Sequence, residues 1–448
     1  MPRDRVLILV QNLPLPQDRH VWNQCLALTR AGYEVSVICP QGEKRDRAPF
    51  EALHDVSIYR YRARHADGGV LGYVVEYGFA LWSMRRLARR LAKERPFAVV
   101  HACSPPDFLL LSMLSLRRRG ARFIFNHHDL TPELFATRFG TPGGLLHRLT
   151  LLAEQVAFRL ADVVTSVNDS YRAVALTRGR RRPEDVHVVR TGPDLERFAP
   201  AAPELVFKRG QRHLLSYVGV MGPQDGVDHA LRALALLQAR RQDWHAIFMG
   251  DGEVLEEMRT LAADLGIAGR VEFMGWVEHE TVGRVLSSSD VCLAPDPKNP
   301  LNDVSSMIKI SEYMAMSRPI VSYDLAESRI GAADAAVYAA ANDEADFARK
   351  IDELLDDPQR RAEMAIAGRK RAEEMLAWEH QERSLLAAYR RALEGGGARI
   401  RSRRLPRVRA QQARAPLADE PMWRSTKLPR LRRHRARAAL RAALTTRR

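Results

Sequence analysis

The chain of 448 residues has only four cysteines, no apolar run long enough to cross a bilayer, and no cluster of His, Cys, Asp and Glu at metal-ligand spacing. Cys25, Cys39, Cys103 and Cys292 all lie in apolar segments. Such thiols read as reduced core residues of a cytoplasmic protein, which excludes a disulfide scaffold. The longest apolar stretch, Val70 to Met84, is interrupted by Glu76 and falls short of a membrane span, so it reads as a packed helix. The first strand begins almost at Met1 and leaves no room for a signal peptide, which again implies the cytoplasm. No Asp-x-Asp pair is present either, so no metal is expected.

Acidic residues are nearly missing from the C-terminal end. Residues 399–448 hold seventeen Lys and Arg against Asp419 and Glu420, a net +15 of the chain's +16. This tail follows Gly395-Gly396-Gly397 and has too few large apolar residues to build a core, so residues 395–448 are expected to be disordered. Its bland role is a solubilising extension. Its functional role is a tether to an anionic membrane surface, with Leu428 to Leu444 folding as a basic helix and Trp423 at the interface. Nucleic acid is not an expected partner, because the body has no reading module to match the charge. Arg85, Arg86, Arg89 and Arg90, with Arg117-Arg118-Arg119, form two further basic clusters.

What is present is alternation. Val6–Val10, Glu34–Cys39, Ala98–His101, Arg122–Asn126, Asp162–Thr165 and Val186–Val189 are short apolar runs ended by turn or cap residues, with a helix over Asp18–Ala31 closed by Gly32. The second half repeats strand, glycine turn, helix. Tyr217-Val218-Gly219 leads through Gly222 to a helix with Val227, Ala230, Leu231, Leu234 and Leu237 on one face. Ala246–Met249 leads through Gly250-Asp251-Gly252 to another, and Val271–Met274 and Asp290–Ala294 read as further strands. The fold class is therefore α/β, with two parallel-sheet domains in tandem and ligands expected at the carboxyl ends of the strands. The join falls over Gly192–Arg212, which is proline-rich and aperiodic. The expected domains are 1–195 and 205–376, a helix over 377–394 returning to the first domain, and the tail over 395–448.

The densest motif runs from Ser305-Ser306-Met307-Ile308-Lys309 through Glu312-Tyr313-Met314-Ala315 to Arg318-Pro319-Ile320-Val321. Lys309 and Glu312 share one helix face, and the serines are expected to cap its N-terminus. A cation, a carboxylate and free backbone N–H groups suit a nucleoside diphosphate, with the carboxylate on the ribose hydroxyls.

With Gly219–Asp228, Met249–Glu253 and Phe273–Val277 in order before it, this pattern resembles the family 4 glycosyltransferases, of GT-B architecture with two facing Rossmann-like domains. The likeness spans residues 4–394 and is sharpest after Leu214. Pro295–Asp303 resembles the subgroup that assembles surface polysaccharides. The resemblance implies a hexosyl or N-acetylhexosaminyl transferase that uses a nucleotide-sugar, UDP-linked by expectation, without a cofactor, and that retains anomeric configuration. It places Glu312 on the ribose and Lys309 on the pyrophosphate, with Gly219, Gly222, Gly250, Asp251, Gly252, Ser305 and Ser306 around the donor. The acceptor implied is a lipid-linked or polysaccharide glycan, and the protein would sit peripherally on the inner face of the cell membrane.

Three positions depart from the family pattern. Val220 and Asp225 stand where a basic pair holds the phosphates, and Val304 stands where a glutamate binds the sugar. Asp225 is read as the N-cap of the following helix, and Asp303 as the substitute for the missing glutamate. In the first domain, His127 and His128 end a strand whose side chains alternate, so one faces inward and the other the cleft. The resemblance makes His128 the cleft histidine, with Asp129 orienting it or meeting the acceptor. Arg19 and His20 are read as exposed helix-start residues on the acceptor side. Rival readings are a nucleotide-sugar epimerase on the same plan and a non-catalytic scaffold that has lost donor binding.

Overall fold

The computed structural model describes residues 3–42, 46–63, 69–139 and 143–395. The tail beyond Gly395, with Trp423 and the expected helix Leu428–Leu444, lies outside the described residues.

Two α/β sheets face each other. The first has eight strands in the spatial order Phe50–Leu53, Val56–Tyr61, Glu34–Pro40, Arg5–Leu9, Val99–Cys103, Arg122–His127, Val163–Ser166 and Val186–Val188. All neighbours pair in parallel except the outermost strand, which is antiparallel to Val56–Tyr61. The second has six parallel strands in the order Val271–Gly275, Trp244–Met249, His213–Val218, Val291–Ala294, Ile320–Tyr323 and Ala336–Ala339. Helices cover both faces, which explains why Arg5–Leu9 and Trp244–Met249 are buried along their whole length rather than alternating.

Both sheets reverse strand order at a point that positions the site. In the first, this lies between Arg5–Leu9 and Val99–Cys103; in the second, between His213–Val218 and Val291–Ala294. Loops leaving the carboxyl ends there cannot fold over one another, and a crevice opens between them. The loops at Gly219 and Asp296 start from the second of these points.

The helix Trp378–Leu393 returns to the first domain. Its Leu385, Ala388, Tyr389 and Ala392 are buried in one cluster with Val6, Ile8 and Val99. The Tyr389 hydroxyl lies 2.8 Å from His101 Nδ1, so the buried His101 is bound to this returning helix through one ring nitrogen.

The hairpin Phe50–Tyr61 and the edge strand Ala336–Ala339 are additions to the sequence reading. The hairpin turns on His54 and Asp55, both at positive φ, without the Asn-Gly signal that marks such turns. The edge strand is two-alanine rich and too short to show a period. The basic run at 117–119 is not a free cluster. Arg117 makes a two-pronged pair with buried Asp162, and Arg119 donates to the Ala92 carbonyl.

Candidate active site

On the second domain the site is built on glycine because backbone meets backbone. A Cβ at Gly250, where φ is 136°, would lie 1.8 Å from the Gly219 carbonyl oxygen, and one at Gly252 would lie 2.3 Å from that of Met221. The two loops thus pack together, and Gly222 N–H is tied to Asp225 Oδ2 at 2.9 Å. Asp225 therefore closes this loop and is not the helix cap expected of it; Gly226, in the left-handed region, precedes the helix Val227–Gln238 with no side-chain cap. Burial chiefly raises the Asp225 carboxyl pKa, with Lys309 opposing. Gly250→Ala is expected to displace the Gly219 carbonyl and lower donor affinity at least tenfold by roughly 1–3 kcal/mol of backbone strain, measured by calorimetry. An unchanged affinity would mean that these loops do not meet the donor.

Lys309 sits beneath this loop. Its Nζ lies 2.6 Å from buried Asp296 and 5.1 Å from the centre of the Tyr217 ring, and its stem passes under Gly219. Burial works against the charge, but Asp296 outweighs it and Lys309 stays cationic, its pKa raised. The sequence reading aimed Lys309 straight at the pyrophosphate and missed Asp296, which it took only as part of a subgroup motif.

Glu312, half-buried on the same helix Ile308–Ala315, has its pKa pushed up to about 7, chiefly by burial and against the pull of Arg19 and Lys309. Arg19 comes from the first domain, at the start of the helix Arg19–Arg30. Arg19 and Glu312 thus address each other across the domain boundary.

Ser305 and Ser306 do not cap that helix, since Met307 holds the cap position with no side-chain bond. Ser305 Oγ donates to Leu301 O and lies 3.0 Å from the Tyr171 hydroxyl, while Ser306 Oγ accepts from Asn168 Nδ2 at 3.0 Å. Both serines join the second domain to the first. Asp303 is also committed elsewhere: it accepts from Ala326 N at 2.9 Å and pairs with Lys298. Val304, beside it, packs against the small cluster of Leu130, Val167, Tyr171 and Leu301. The position where the family has a glutamate is thus spent on domain contact, supported by buried Glu327, which accepts from Ser170 N.

On the first domain, His127 and His128 point to opposite sides. His127 is fully buried against Phe125, Phe158 and Tyr171, with Nε2 3.4 Å from Glu154. His128 is partly exposed, 3.5 Å from Asp129 Oδ2. Ser104 Oγ accepts from both His128 N and Asp129 N and so shapes this turn, a role the sequence did not reveal. Burial opposes the His128 charge, but Asp129 and Asp18 overcome it and lift the pKa to about 9.

His20 is not solvated. It is buried with its ring 4.9 Å from that of His128, Nε2 2.7 Å from Gln24 and Nδ1 3.0 Å from Thr191 Oγ1. Burial, then the charge of His128, lowers its pKa well below the ordinary value. A neutral imidazole therefore supports a cationic one.

Between the domains lies a cleft of about 1120 Å³ whose walls include Asn12, Gln17 and Arg19 from the first domain, and Asp251, Trp276 and His279 from the second. Its walls carry Arg19 and Arg197 beside the carboxylates of Asp46, Glu76, Asp251 and Glu278, whereas the cation and glycine-shaped backbone that suit a polyanionic ligand belong to Lys309 and the loops at Gly219 and Gly250.

Residues 17–197 match the Glycosyltransferase Family 4 domain and residues 212–357 the Glycosyl transferases group 1 domain. The chain belongs to the family 4 glycosyltransferases, with the GT-B fold. It is 27 % identical over 353 residues to phosphatidyl-myo-inositol mannosyltransferase of Mycolicibacterium smegmatis, covering 78 % of this chain and 84 % of that protein. To 2-deoxystreptamine glucosyltransferase of Streptomyces kanamyceticus it is 26 % identical over 256 residues, covering 55 % of this chain and 65 %, just under two thirds, of that one. Among solved structures, sucrose-phosphate synthase from Thermosynechococcus elongatus superposes with a TM-score of 0.70 at 16 % identity, over 87 % of this chain and 99 % of that one. Anabaena HepE in complex with UDP and glucose does so at 0.64 and 14 %, over 87 % and 100 %. At these identities the likeness is one of fold.

Proposed function

We propose that this protein transfers a hexosyl or N-acetylhexosaminyl group from a nucleotide-diphosphate donor, a UDP-sugar, to a lipid-linked or polysaccharide acceptor. The observation that carries this reading is Glu312, a carboxyl beside the Lys309 and Gly219 loop that faces Arg19 across the cleft. In this reading Glu312 accepts from the ribose hydroxyls, and backbone N–H groups around Gly219 and Gly250 with Lys309 hold the diphosphate. The bond from the anomeric carbon to phosphate breaks, the acceptor oxygen takes its place, and the acceptor's proton leaves with the diphosphate. His128, cationic at neutral pH, donates a hydrogen bond to the sugar or to the departing oxygen rather than acting as a base. The reaction retains configuration and needs no metal. The complex of HepE with UDP-glucose supports the donor class, and the name of the mannosyltransferase relative supports a lipid acceptor.

Screening UDP-, GDP- and ADP-sugars for thermal stabilisation and slow hydrolysis tests this reading. Stabilisation by none of them would favour a non-catalytic scaffold, and conversion of the donor sugar without acceptor would favour an epimerase.

Among the described residues no helix is long and apolar enough to cross a membrane. We place the protein on the inner membrane face, held by its basic tail. Deleting residues 399–448 is expected to leave turnover on a soluble acceptor analogue intact and to weaken co-sedimentation with anionic vesicles, most at low salt, since each basic residue near such a surface contributes about 1 kcal/mol. Equal sedimentation would return the tail to a solvated extension.

A further inference from the structure

The chain passes from the first domain to the second after the strand Val186–Val188 and returns just before the helix Trp378–Leu393. The two crossings meet. A Cβ at Gly192 would lie 2.0 Å from the Leu376 carbonyl oxygen, so backbone packs on backbone there. Arg190 N donates to Gln381 Oε1 at 2.9 Å, and Gln381 Nε2 donates to Met375 O at 3.1 Å. Thr191, between Arg190 and Gly192, is thereby held on both sides.

Its hydroxyl lies 3.0 Å from His20 Nδ1, while His20 Nε2 lies 2.7 Å from the buried Gln24, one turn along the helix Arg19–Arg30. Both ring nitrogens are bonded, and the ring plane is set. A phenyl ring would fill the same space without that constraint. The His20 ring in turn meets the His128 ring, with centres 4.9 Å apart and planes inclined at 38°. Ser104 Oγ fixes the His128 backbone by accepting from its N–H. The His128 ring itself is steered by Asp129 Oδ2, 3.5 Å from Nδ1, and by His20. Among the described residues, the ionisable groups around it are Asp129 from its own turn, Asp18 and His20 from the start of the helix Arg19–Arg30, and Cys103 from the strand Val99–Cys103. Asp18 is itself tied down, since it accepts from Val21 N at 3.0 Å.

We propose that His20 is a positioning residue for His128 and is aimed by Thr191 at the interdomain crossing. His20 touches no reacting atom in this role. It keeps the His128 ring turned toward Asp129, and the crossing keeps His20 in place. Movement of one domain against the other then reaches His128 through two side-chain contacts. Such orientation is worth holding, because a misplacement of about 1 Å at a reacting group can cost roughly 10²-fold in rate. The inference rests on the proposed role of His128 in sugar transfer.

Thr191→Val removes one hydroxyl at nearly constant volume, and Thr191→Ser restores it. In the full chain, with the nucleotide-sugar that the screen selects, Thr191→Val should lower kcat about fivefold and His20→Phe about tenfold. Donor KM and melting temperature should stay near wild type, and Thr191→Ser should keep wild-type kcat. In a His128→Ala background neither substitution should lower kcat further, because each acts through that ring. The His128 ring resonances give a readout apart from turnover. In Thr191→Val they should titrate below the wild-type value of about 9, as the contact with Asp129 loosens. Losses that multiply with His128→Ala would overturn the proposal, as would wild-type kcat in both single variants, a loss carried by donor KM, or an unaltered His128 titration. Full turnover in His128→Ala would instead sink the role of His128 in transfer, while the titration still decides whether His20 orients it.

Discussion

Glu312→Ala lowers affinity for the nucleotide donor about a hundredfold while leaving the melting temperature near that of the wild type. Two charge-assisted hydrogen bonds to ribose hydroxyls are worth roughly 3 kcal/mol together. The fold gains little from this carboxyl, because burial disfavours its charge and pushes its pKa up to about 7. That value gives the prediction a second edge. Only the ionised group accepts two hydroxyl bonds, so donor affinity should rise with pH through about 7 and level off above it. In Glu312→Gln this rise should vanish. Calorimetry across the range decides the matter, and unchanged affinity in Glu312→Ala would remove Glu312 from the donor site.

His128→Ala should reduce turnover by about 10²-fold or more with donor affinity almost unaltered, in the range for loss of a positioned proton donor. His127→Ala should act on stability instead. Its ring fills space among Phe125, Phe158 and Tyr171, so truncation leaves a cavity costing about 2–4 kcal/mol. Steady-state kinetics and chemical denaturation of both variants separate the two effects. If the two substitutions behave alike, opposite faces of the strand do not have separate tasks. The pKa near 9 also implies that activity falls as pH rises past that value, when His128 loses its proton.

Much of the candidate site was legible because its signals are local. Glycines at 219, 250 and 252 marked the turns at the strand ends, and strand alternation was enough to send His127 and His128 to opposite sides. The readings that changed depended on distant partners. Ser305 and Ser306 carry good capping side chains, but Asn168, Tyr171 and Glu327 of the folded molecule compete for their hydroxyls. Asp303 is adjacent to the position of the missing glutamate, yet the start of the helix Ala326–Ala332 claims its oxygen. Arg117 looked like a surface cation until Asp162 was placed beneath it. His20 had every mark of a solvated helix start until the return of Thr191 and the turn at His128 enclosed it.

The amino-acid sequence by itself determined the two-domain α/β plan, the glycine turns at the strand ends and most of the order of strands and helices, but not the hairpin Phe50–Tyr61 or the edge strand Ala336–Ala339. Apolar period and glycine turns act over a few residues and were legible there, whereas the caps expected of Asp225, Ser305 and Ser306 were not formed because other partners claim those side chains. Only the tertiary structure decided which charges meet: Lys309 with Asp296, Glu312 with Arg19, and His128 with both Asp129 and the neutral ring of His20. Those pairings depend on where two sheets reverse their strand order and how closely two domains approach. Burial then sets the charge of each group, and no local pattern contains it.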